Sequence, residues 1–362
     1  MKFPENMVSM FAYSNVSKID MNNVDMSAVI SMYDCFFQCE NLGSIEINNA
    51  TNVKNLRYLS YCFKYSKVKT AKLSGFSTSE NLLNASYMFD STPLESIEQD
   101  LNTKNAVRLD FMFSNTKLTK LDLRNFDVSS IGKPFYDGYS GTRRFNGLYY
   151  LVGGAPLTEL NISGWNLSGA GGDPSYDDQG RISYIMNTMC ESIGSRNTEA
   201  CEMTLIANDL KLPKYCGRLF YDLYPTYVEM KNTDFSNVVY LGQLFSEDDS
   251  PYRPDSCKLK RFDISGFGTK NIQIFNQTFL NRTELTDLDL SWLEASPWRT
   301  RQMFSGCSKL KNIYMSKNFD TSGVTDSDSM FNGCTSLPHF DASKIDKTNA
   351  NTSSTGYFTL KQ

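Results

Sequence analysis

The fold is decided by the stretch MFSGCSKLKNIYM at residues 303–315, which is followed about one repeat later by MFNGCTSLPHFDA at residues 330–342. Both stretches carry a Met-Phe pair, a small residue three positions after the Phe, and further apolar residues. The same frame recurs along the chain, with most aromatic markers 24 to 27 residues apart. The markers are Phe11, Phe36, Phe63, Phe89, Phe113, Phe220, Phe245, Phe279, Phe304 and Phe331, with Leu151 and Cys190 as weaker substitutes. The sequence is therefore a tandem repeat of about twelve units.

Each unit contains an apolar triplet that predicts a short strand. Leu118, Leu121 and Leu123 show the spacing, and the last two alternate with an outward-facing residue, as in a strand with one buried face. A turn follows, and then a segment such as residues 324–331, where apolar residues return at a spacing compatible with a helix. Each coil is therefore predicted to be a strand, a turn, a short helix and a second turn.

A single coil of this length cannot bury both of its faces, so neighbouring coils are expected to stack around a continuous core. The repeat length is typical of leucine-rich repeats. The sequence predicts an α/β leucine-rich-repeat solenoid with one parallel sheet, and a right-handed parallel β-helix of similar coil length is the alternative. The predicted solenoid spans residues 1–342, with insertions near residues 131–150, 169–184 and 246–257. Residues 343–362 are predicted to be a C-terminal capping tail.

The repeat unit resembles a known family. The segment MFSNTKLTKLDLRNFDVSS, which begins at Met112, and residues 303–324 are similar to the BspA-like leucine-rich repeats of bacterial surface proteins, whose repeat runs M-F-x-x-C-x-x-L-x-x-L-D-L-S-x-F-D-T-S. This motif is specific for a fold and unspecific for a function. The resemblance implies an exposed surface scaffold or a secreted one, and some such proteins are adhesins that bind host proteins or other cells.

Composition disfavours two classes of partner. The chain has a formal net charge of -4 and a pI near 5.3, so it lacks the basic surface of a nucleic-acid binder. No stretch approaches the roughly 18 consecutive apolar residues that a membrane helix requires. The first residues, MKFPENMVSMFAYS, also lack a secretory leader. Either the protein stays inside the cell or the numbering begins after a removed leader, and the resemblance favours a cell-surface or secreted location.

Cysteine and histidine residues give no pattern of a metal or catalytic site. Of the nine cysteines, Cys39, Cys307 and Cys334 occupy the small position after the aromatic marker, which predicts buried free thiols. No C-x-x-C pair is present, so a zinc site is not predicted. The one histidine, His339, lies in the strand segment of the last full repeat and is predicted to be exposed. We therefore predict no catalytic residues, no metal ligands and no cofactor.

The outward residue of each predicted strand is most often acidic. Stacking of the coils would place these residues in one column on the face of the sheet, where like charges at cross-strand distance repel. The column either supports the turns of the repeat or forms a binding face for a basic partner or divalent cations. Its acidic members, which we call the acidic column, are Asp20, Glu46, Glu98, Asp122, Glu229, Asp263, Asp289 and Asp341.

The insertions interrupt the repeat and concentrate aromatic and arginine side chains. Loops on a rigid scaffold often carry recognition, and aromatic and Arg residues are enriched where proteins bind each other. We therefore predict that the first insertion is a partner-binding knob, although its aromatic residues could instead fill a widened core. The candidate partner-binding residues are Phe135, Tyr136, Tyr139, Arg143, Arg144, Phe145 and Tyr149.

These observations lead to one functional hypothesis and two alternatives. We predict a surface-exposed or secreted, adhesin-like scaffold without catalysis, which engages a host or neighbouring-cell surface protein through its insertions or its sheet face. One alternative is a glycan-binding module that uses the aromatic insertions. The other, from a different class, is a polysaccharide-cleaving enzyme on a β-helix, which would need a pair of carboxylates in a cleft beside stacked aromatic rings.

Overall fold

The computed structural model describes residues 2–48, 50, 52–133, 147–170, 202–217, 219–220, 225–246 and 258–361, together with the backbone of residues 135–136 and 142–143. It divides into two compact units, Met1–Leu157 and Thr158–Gln362. Most of the second and of the third predicted insertions lies outside the described residues.

The first unit contains a parallel sheet in the order β1-β2-β3. Each strand belongs to one repeat, and each pairs with the strand of the next repeat. A fourth strand, β4, belongs to the following coil, and β5 and β6 pair antiparallel within the first insertion. The strands are β1 (Ser44–Asn48), β2 (Thr70–Ser74), β3 (Ser96–Gln99), β4 (Lys120–Asp122), β5 (Phe135–Tyr136) and β6 (Thr142–Arg143).

The second unit contains parallel strands in two groups. One group has the order β7-β8-β9-β10, and the other has the order β11-β12-β13. The strands are β7 (Glu159–Asn161), β8 (Thr204–Ile206), β9 (Tyr227–Asp234), β10 (Arg261–Phe267), β11 (Asp287–Leu290), β12 (Asn312–Met315) and β13 (Thr359–Leu360).

The prediction that each coil contains a short helix after its strand and turn is wrong. Within the described part of the chain, helix is limited to two 3₁₀ segments, Thr269–Asn271 and Lys347–Asn349. The assignment to an α/β leucine-rich-repeat fold fails with it. The coils do stack, but the side of each coil that was expected to be helical forms turns joined to the next coil by hydrogen bonds.

Backbone conformation at the Met-Phe corner explains the missing helices. Around most of the described markers, a residue with left-handed φ lies two positions before the marker, and usually a second one lies two positions after it. Tyr61 and Tyr65 both have a φ of 60°, and Gln277 and Asn281 have φ values of 57° and 63°. A right-handed helix cannot continue through such residues. The corner N–H groups bond between coils instead: Phe63 donates to the Met88 carbonyl at 2.9 Å, and Tyr65 donates to the Asp90 carbonyl at 3.1 Å.

The same corner shows why the spacing of apolar residues looked helical. The N–H groups between those that bond to the next coil donate three residues back along the chain. Cys62 donates to the Leu59 carbonyl at 3.2 Å, and Lys64 donates to the Tyr61 carbonyl at 3.0 Å. Bonds of this span close β-turns, which bring residues three positions apart close together. The pattern therefore arises from a series of turns.

The aromatic markers form stacks in the core of each unit. In the first unit, the rings of Phe36, Phe63 and Phe89 follow one another at 5.2 and 5.0 Å between centroids, with nearly parallel planes. In the second unit, Phe279 and Phe304 stack at 5.8 Å. All five of these side chains are at most 3% exposed. The repeated aromatic residue is thus the element around which the coils pack.

The C-terminal tail packs against the last coils of the second unit. Phe331 donates its N–H to the Ile345 carbonyl at 2.8 Å. Tyr357 and Phe358 are 2% and 5% exposed. Strand β13 pairs with β12, while the segment of the last repeat that was expected to form a strand consists mainly of turns. His339, within that segment, is exposed and has a left-handed φ of 57°, so it is not a strand residue.

The cysteines of the described chain are buried free thiols, and they contribute to coil stacking. Cys307 donates to the Phe279 carbonyl at 3.1 Å, and Cys334 donates to the Phe304 carbonyl at 3.0 Å, in each case one coil back. Burial raises the pKa of the Cys35 thiol to about 12, and the nearby Cys39 adds to this shift. The free thiols are Cys35, Cys39, Cys62, Cys216, Cys307 and Cys334.

Replacing one ring of the core stack should strongly destabilise the protein. We expect Phe63→Ala to lower the free energy of unfolding by about 3–5 kcal/mol, because it removes a buried ring and leaves a cavity. As a control, Tyr13→Ala should change it by no more than about 0.5 kcal/mol, because Tyr13 is 71% exposed. Chemical denaturation of both variants would measure this. Equal decreases in the free energy of unfolding for Phe63→Ala and Tyr13→Ala would show that the aromatic stack does not dominate stability.

Cys35 should make stability fall at alkaline pH. The unfolded chain releases this thiol proton near pH 9, whereas the folded chain retains it to about pH 12. Between these values the unfolded state binds fewer protons, so the free energy of unfolding decreases as pH rises. In the folded protein, alkylation of Cys35 at pH 9 should also be slower by roughly a hundredfold or more, because the thiolate is the reactive form.

Peptide mass spectrometry after a timed iodoacetamide reaction would measure the alkylation of Cys35. Denaturation of native protein and Cys35→Ala between pH 8 and about 11 would measure the pH effect, and the variant should show a shallower decline. Equal alkylation rates in folded and unfolded protein would contradict burial of this thiol.

Candidate binding surface

The outward face of the sheet in the first unit carries an ordered column of charges. Glu46 of β1 lies in register with Lys72 of β2, which lies in register with Glu98 of β3. All three side chains are exposed. Asp20 in the preceding coil forms a parallel bridge with Glu46. The structure therefore brings three predicted members of the acidic column together, with one lysine between the two glutamates.

A second part of the acidic column lies on β9 and β10 of the second unit. Glu229 and Asp263 are in register, and the Tyr227 hydroxyl lies 3.0 Å from a carboxylate oxygen of each. Asn208 donates to Glu229 at 2.6 Å, and this bond is the main reason why the pKa of Glu229 is lowered. Arg261 forms an ion pair with Asp263 at 2.7 Å. Hydrogen bonds and cations therefore offset the repulsion expected between these carboxylates.

The aspartates of the column also stabilise turns. In four of the five, the carboxylate accepts the N–H of the residue two positions later, which closes the turn after the strand. Asp122 accepts from Arg124 at 3.1 Å, and Asp341 accepts from Ser343 at 2.9 Å. Asp20 and Asp289 make the same contact. These aspartates therefore support the turns of the repeat, which is one of the two roles that the sequence allowed for the acidic column. Glu46 and Glu98, by contrast, are exposed strand residues.

The remaining members are not part of one continuous column. Asp122 lies on β4, which does not pair with β3. Asp289 lies opposite Tyr314 and forms an ion pair with Lys361 of the tail. Asp341 lies outside the strands. Within the first unit, the ordered part of the acidic column therefore extends from Asp20 to Glu98.

The predicted knob in the first insertion lies largely outside the described residues. Tyr139, Arg144 and Phe145 are not described, and for Phe135, Tyr136 and Arg143 only the backbone of the β5–β6 hairpin is described. Tyr149 is described, and it packs against the coil. Its ring meets those of Tyr150 at 4.3 Å and Phe111 at 5.4 Å, and its N–H donates to Asp110 at 3.1 Å.

Sequence analysis missed a second set of stacked rings at the corners of the first unit. The rings of Tyr61, Tyr87, Phe111 and Tyr150 follow one another at 4.8, 4.4 and 5.2 Å, and we call them the outer aromatic ladder. Burial raises the pKa of Tyr87 to about 12. For the first three rings, the detectable signal was an aromatic residue two positions before the marker Phe, whereas Tyr150 lies directly before the marker Leu151. Because these rings cover one another's faces, they do not present the open faces on which sugars stack.

Ion pairs border the outer aromatic ladder. Lys64 lies over the rings of Tyr61 and Tyr87, at 5.2 and 4.3 Å from their centroids, and forms an ion pair with Asp90 at 3.0 Å. In the second unit, the equivalent corner positions carry glutamines. Gln243 donates to Gln277, and Gln277 donates to Gln302, each at 2.8 Å. The two units therefore build the same backbone corner with different surface chemistry.

Comparison with known proteins identifies a family. The family described as "Mycoplasma protein of unknown function, DUF285" matches residues 5–126, 80–149, 217–317 and 252–360. The chain belongs to this family. The overlapping matches agree with a repeated unit. Searches of the curated proteins and of the solved structures found no match.

Two further features of this DUF285 chain bear on its partners. No helix in the described residues is long and apolar enough to cross a membrane. Across the same residues, no group of three or more His, Cys, Asp or Glu side chains is arranged to hold a metal ion.

Removing the Asp122 carboxylate should change how the free energy of unfolding depends on pH. The bond from Arg124 holds the pKa of Asp122 below its ordinary value. The resulting stabilisation is present above about pH 5 and is lost as pH falls through the folded pKa. We expect Asp122→Asn to cost at most about 1 kcal/mol at neutral pH, because exposed ion pairs contribute little, and to cost progressively less below about pH 4.

Urea denaturation at pH 7 and pH 3 would measure this difference. Arg124→Gln, which removes the main cause of the pKa shift, should reproduce most of the effect. If Asp122→Asn lowers the free energy of unfolding equally at both pH values, the stabilising contribution of Asp122 does not depend on its negative charge.

Proposed function

We propose that this protein is a binding scaffold that engages a protein partner through the outward sheet face of its first unit. The observation that supports this proposal is the exposed column Glu46, Lys72 and Glu98, held in register by parallel pairing. Within the described strands, the inward side chains Ile45, Ile47, Ala71 and Leu73 are at most 1% exposed. The outward side chains are therefore presented from a packed support.

The order of charges on this face suits selective recognition. Adjacent strands lie about 4.8 Å apart, so the three charges alternate in sign along roughly 10 Å. A partner surface with the opposite order would be attracted, and one with the same order would be repelled. Small outward residues on the same strands, such as Ser44, Thr70 and Ser96, are also exposed and leave room for contact.

The proposed location and partner class rest on resemblance. The repeats are similar to those of BspA-like bacterial surface proteins, which supports a surface or secreted protein that binds a host or neighbouring-cell protein. The family description states no function. The first insertion is a proposed second contact, and the variants below separate its contribution from that of the sheet face.

Reversing the charges of the sheet face should abolish partner binding. We expect native protein to bind at least one component in a screen of immobilised extracellular-matrix proteins, run beside a glycan array. The variant Glu46→Lys, Lys72→Glu, Glu98→Lys should lose at least tenfold in affinity, because it inverts the order of charges. A matched control, Glu284→Lys with Lys309→Glu, inverts an ion pair of the second unit and should bind normally.

A third variant tests the first insertion through Tyr136→Ser, Tyr139→Ser and Phe145→Ser. Tyr149 is retained because its ring packs in the coil. Circular dichroism should confirm that every variant folds. If only the insertion variant loses binding, the partner contacts the first insertion and not the sheet face. If native protein binds only glycans, the partner is a glycan and not a protein. No binding by native protein would overturn the proposal.

A further inference from the structure

The Met-Phe corner of the last repeat contains an exposed asparagine followed by a glycine. Asn332 is exposed, and Gly333 has a left-handed φ of 77°. In the preceding coil, Gly306 occupies the equivalent position and has a φ of 80°. Each glycine lies two positions after its marker, which is Phe331 or Phe304. The two corners therefore share the same glycine conformation and can be compared directly.

The two corners differ in the hydrogen bonding of this glycine. The Gly306 N–H donates to the Asn332 carbonyl at 2.8 Å, whereas the Gly333 N–H has no acceptor in the described part of the chain. The tail supplies the Ile345 carbonyl to the Phe331 N–H, but Gly333 lies two residues further on. Among the residues that the structure describes, the Asn332 carboxamide likewise makes no hydrogen bond. A main-chain nitrogen and a carboxamide that can react with each other are therefore adjacent and unbonded.

We propose that Asn332 is a site of spontaneous deamidation. The Gly333 main-chain nitrogen attacks Cγ of the Asn332 carboxamide, loses its proton to water or hydroxide, and displaces the side-chain nitrogen as ammonia. Water then opens the cyclic imide that has formed. Opening at Cγ gives aspartate, and opening at the main-chain carbonyl carbon gives isoaspartate. Glycine favours the first step because it has no Cβ to hinder the attack and its backbone is easily reoriented.

The modification would alter the packing of the last two coils against each other. In isoaspartate the main chain runs through the side chain, so the corner becomes longer by one carbon atom. The carbonyl at this position accepts the Gly306 N–H, and the adjacent Phe331 ring stacks on Phe304 at 5.5 Å. Both products also carry a negative charge that the carboxamide lacks. We therefore expect the last coil to lose stability as the modified fraction increases.

Incubation of the intact protein at mildly alkaline pH and body temperature tests the proposal. Peptide mass spectrometry with fragmentation that distinguishes isoaspartate should show both products at Asn332, increasing with time. Gly333→Ala should slow their formation at least tenfold, because a methyl group then hinders the attacking nitrogen. Asn146, in the other Asn-Gly pair of the chain, lies outside the described residues, and its peptide is analysed separately.

A matched control places the same dipeptide where both reacting groups are bonded. Asn23→Gly provides it, because Asn23 also has a left-handed φ, of 54°, which glycine readily adopts. The N–H at this position donates to the Asn48 carbonyl at 2.9 Å, and the Asn22 carboxamide accepts the Asn48 N–H at 2.8 Å. In the folded variant, deamidation at Asn22 should be at least tenfold slower than at Asn332. In concentrated urea the two rates should become similar.

The outcomes that would overturn the proposal are specific. One is the absence of both products at Asn332, and another is an equal rate at Asn22 in the folded Asn23→Gly variant. A difference in rate that persists in urea would show that neighbouring sequence, and not the unbonded groups, determines the reactivity. If Asn23→Gly does not fold, Gly333→Ala still provides a test, since an unchanged rate in that variant would contradict attack by this nitrogen.

Discussion

The interaction on which the structure depends is the hydrogen bond from a corner N–H to a carbonyl of the next coil. It requires left-handed backbone at residues such as Tyr61 and Tyr65, which non-glycine residues adopt at a conformational cost. That cost is acceptable because the described coils repeat the same corner and supply the matching acceptors. Once these N–H groups bond between coils, they are not available for a helix within one coil. The all-turn corner and the parallel strands are two consequences of this single arrangement.

Aromatic stacking follows from the same constraint. Repeating the corner at a fixed position places each marker Phe over the one before, with ring centroids about 5–6 Å apart along the core. The thiols of Cys307 and Cys334 then lie close enough to bond with carbonyls one coil back. Where the repeat ends, a different solution is needed. The tail supplies the Ile345 carbonyl and the ring of Phe358 in place of a further coil.

The sequence was informative wherever one residue type recurs at one position. From Phe36 onward, the described aromatic markers are core residues, and alternation within the strand correctly placed Glu46, Lys72 and Glu98 on one face. The helix prediction failed because i-to-i−3 turns and a helical turn produce similar apolar spacing, and because Tyr, Gln and Ser carry no clear signal for left-handed φ. The missing pairing between β3 and β4 was not predicted, because the pairing of consecutive coils cannot be read from the alternation within one strand.

These constraints also limit where function can reside. The inward positions and the corner backbone must be nearly the same in every coil, because each coil is bonded to its neighbours. What differs between coils is the outward chemistry, such as tyrosines at the corners of the first unit and glutamines at the corners of the second. A departure from the repeat at an inward position is therefore unusual. Gln99 is such a departure, and its strand β3 does not pair with β4 of the next coil. Outward positions that do not close a turn, such as Glu46 and Glu98, are therefore the ones at which binding rather than stability can determine the residue.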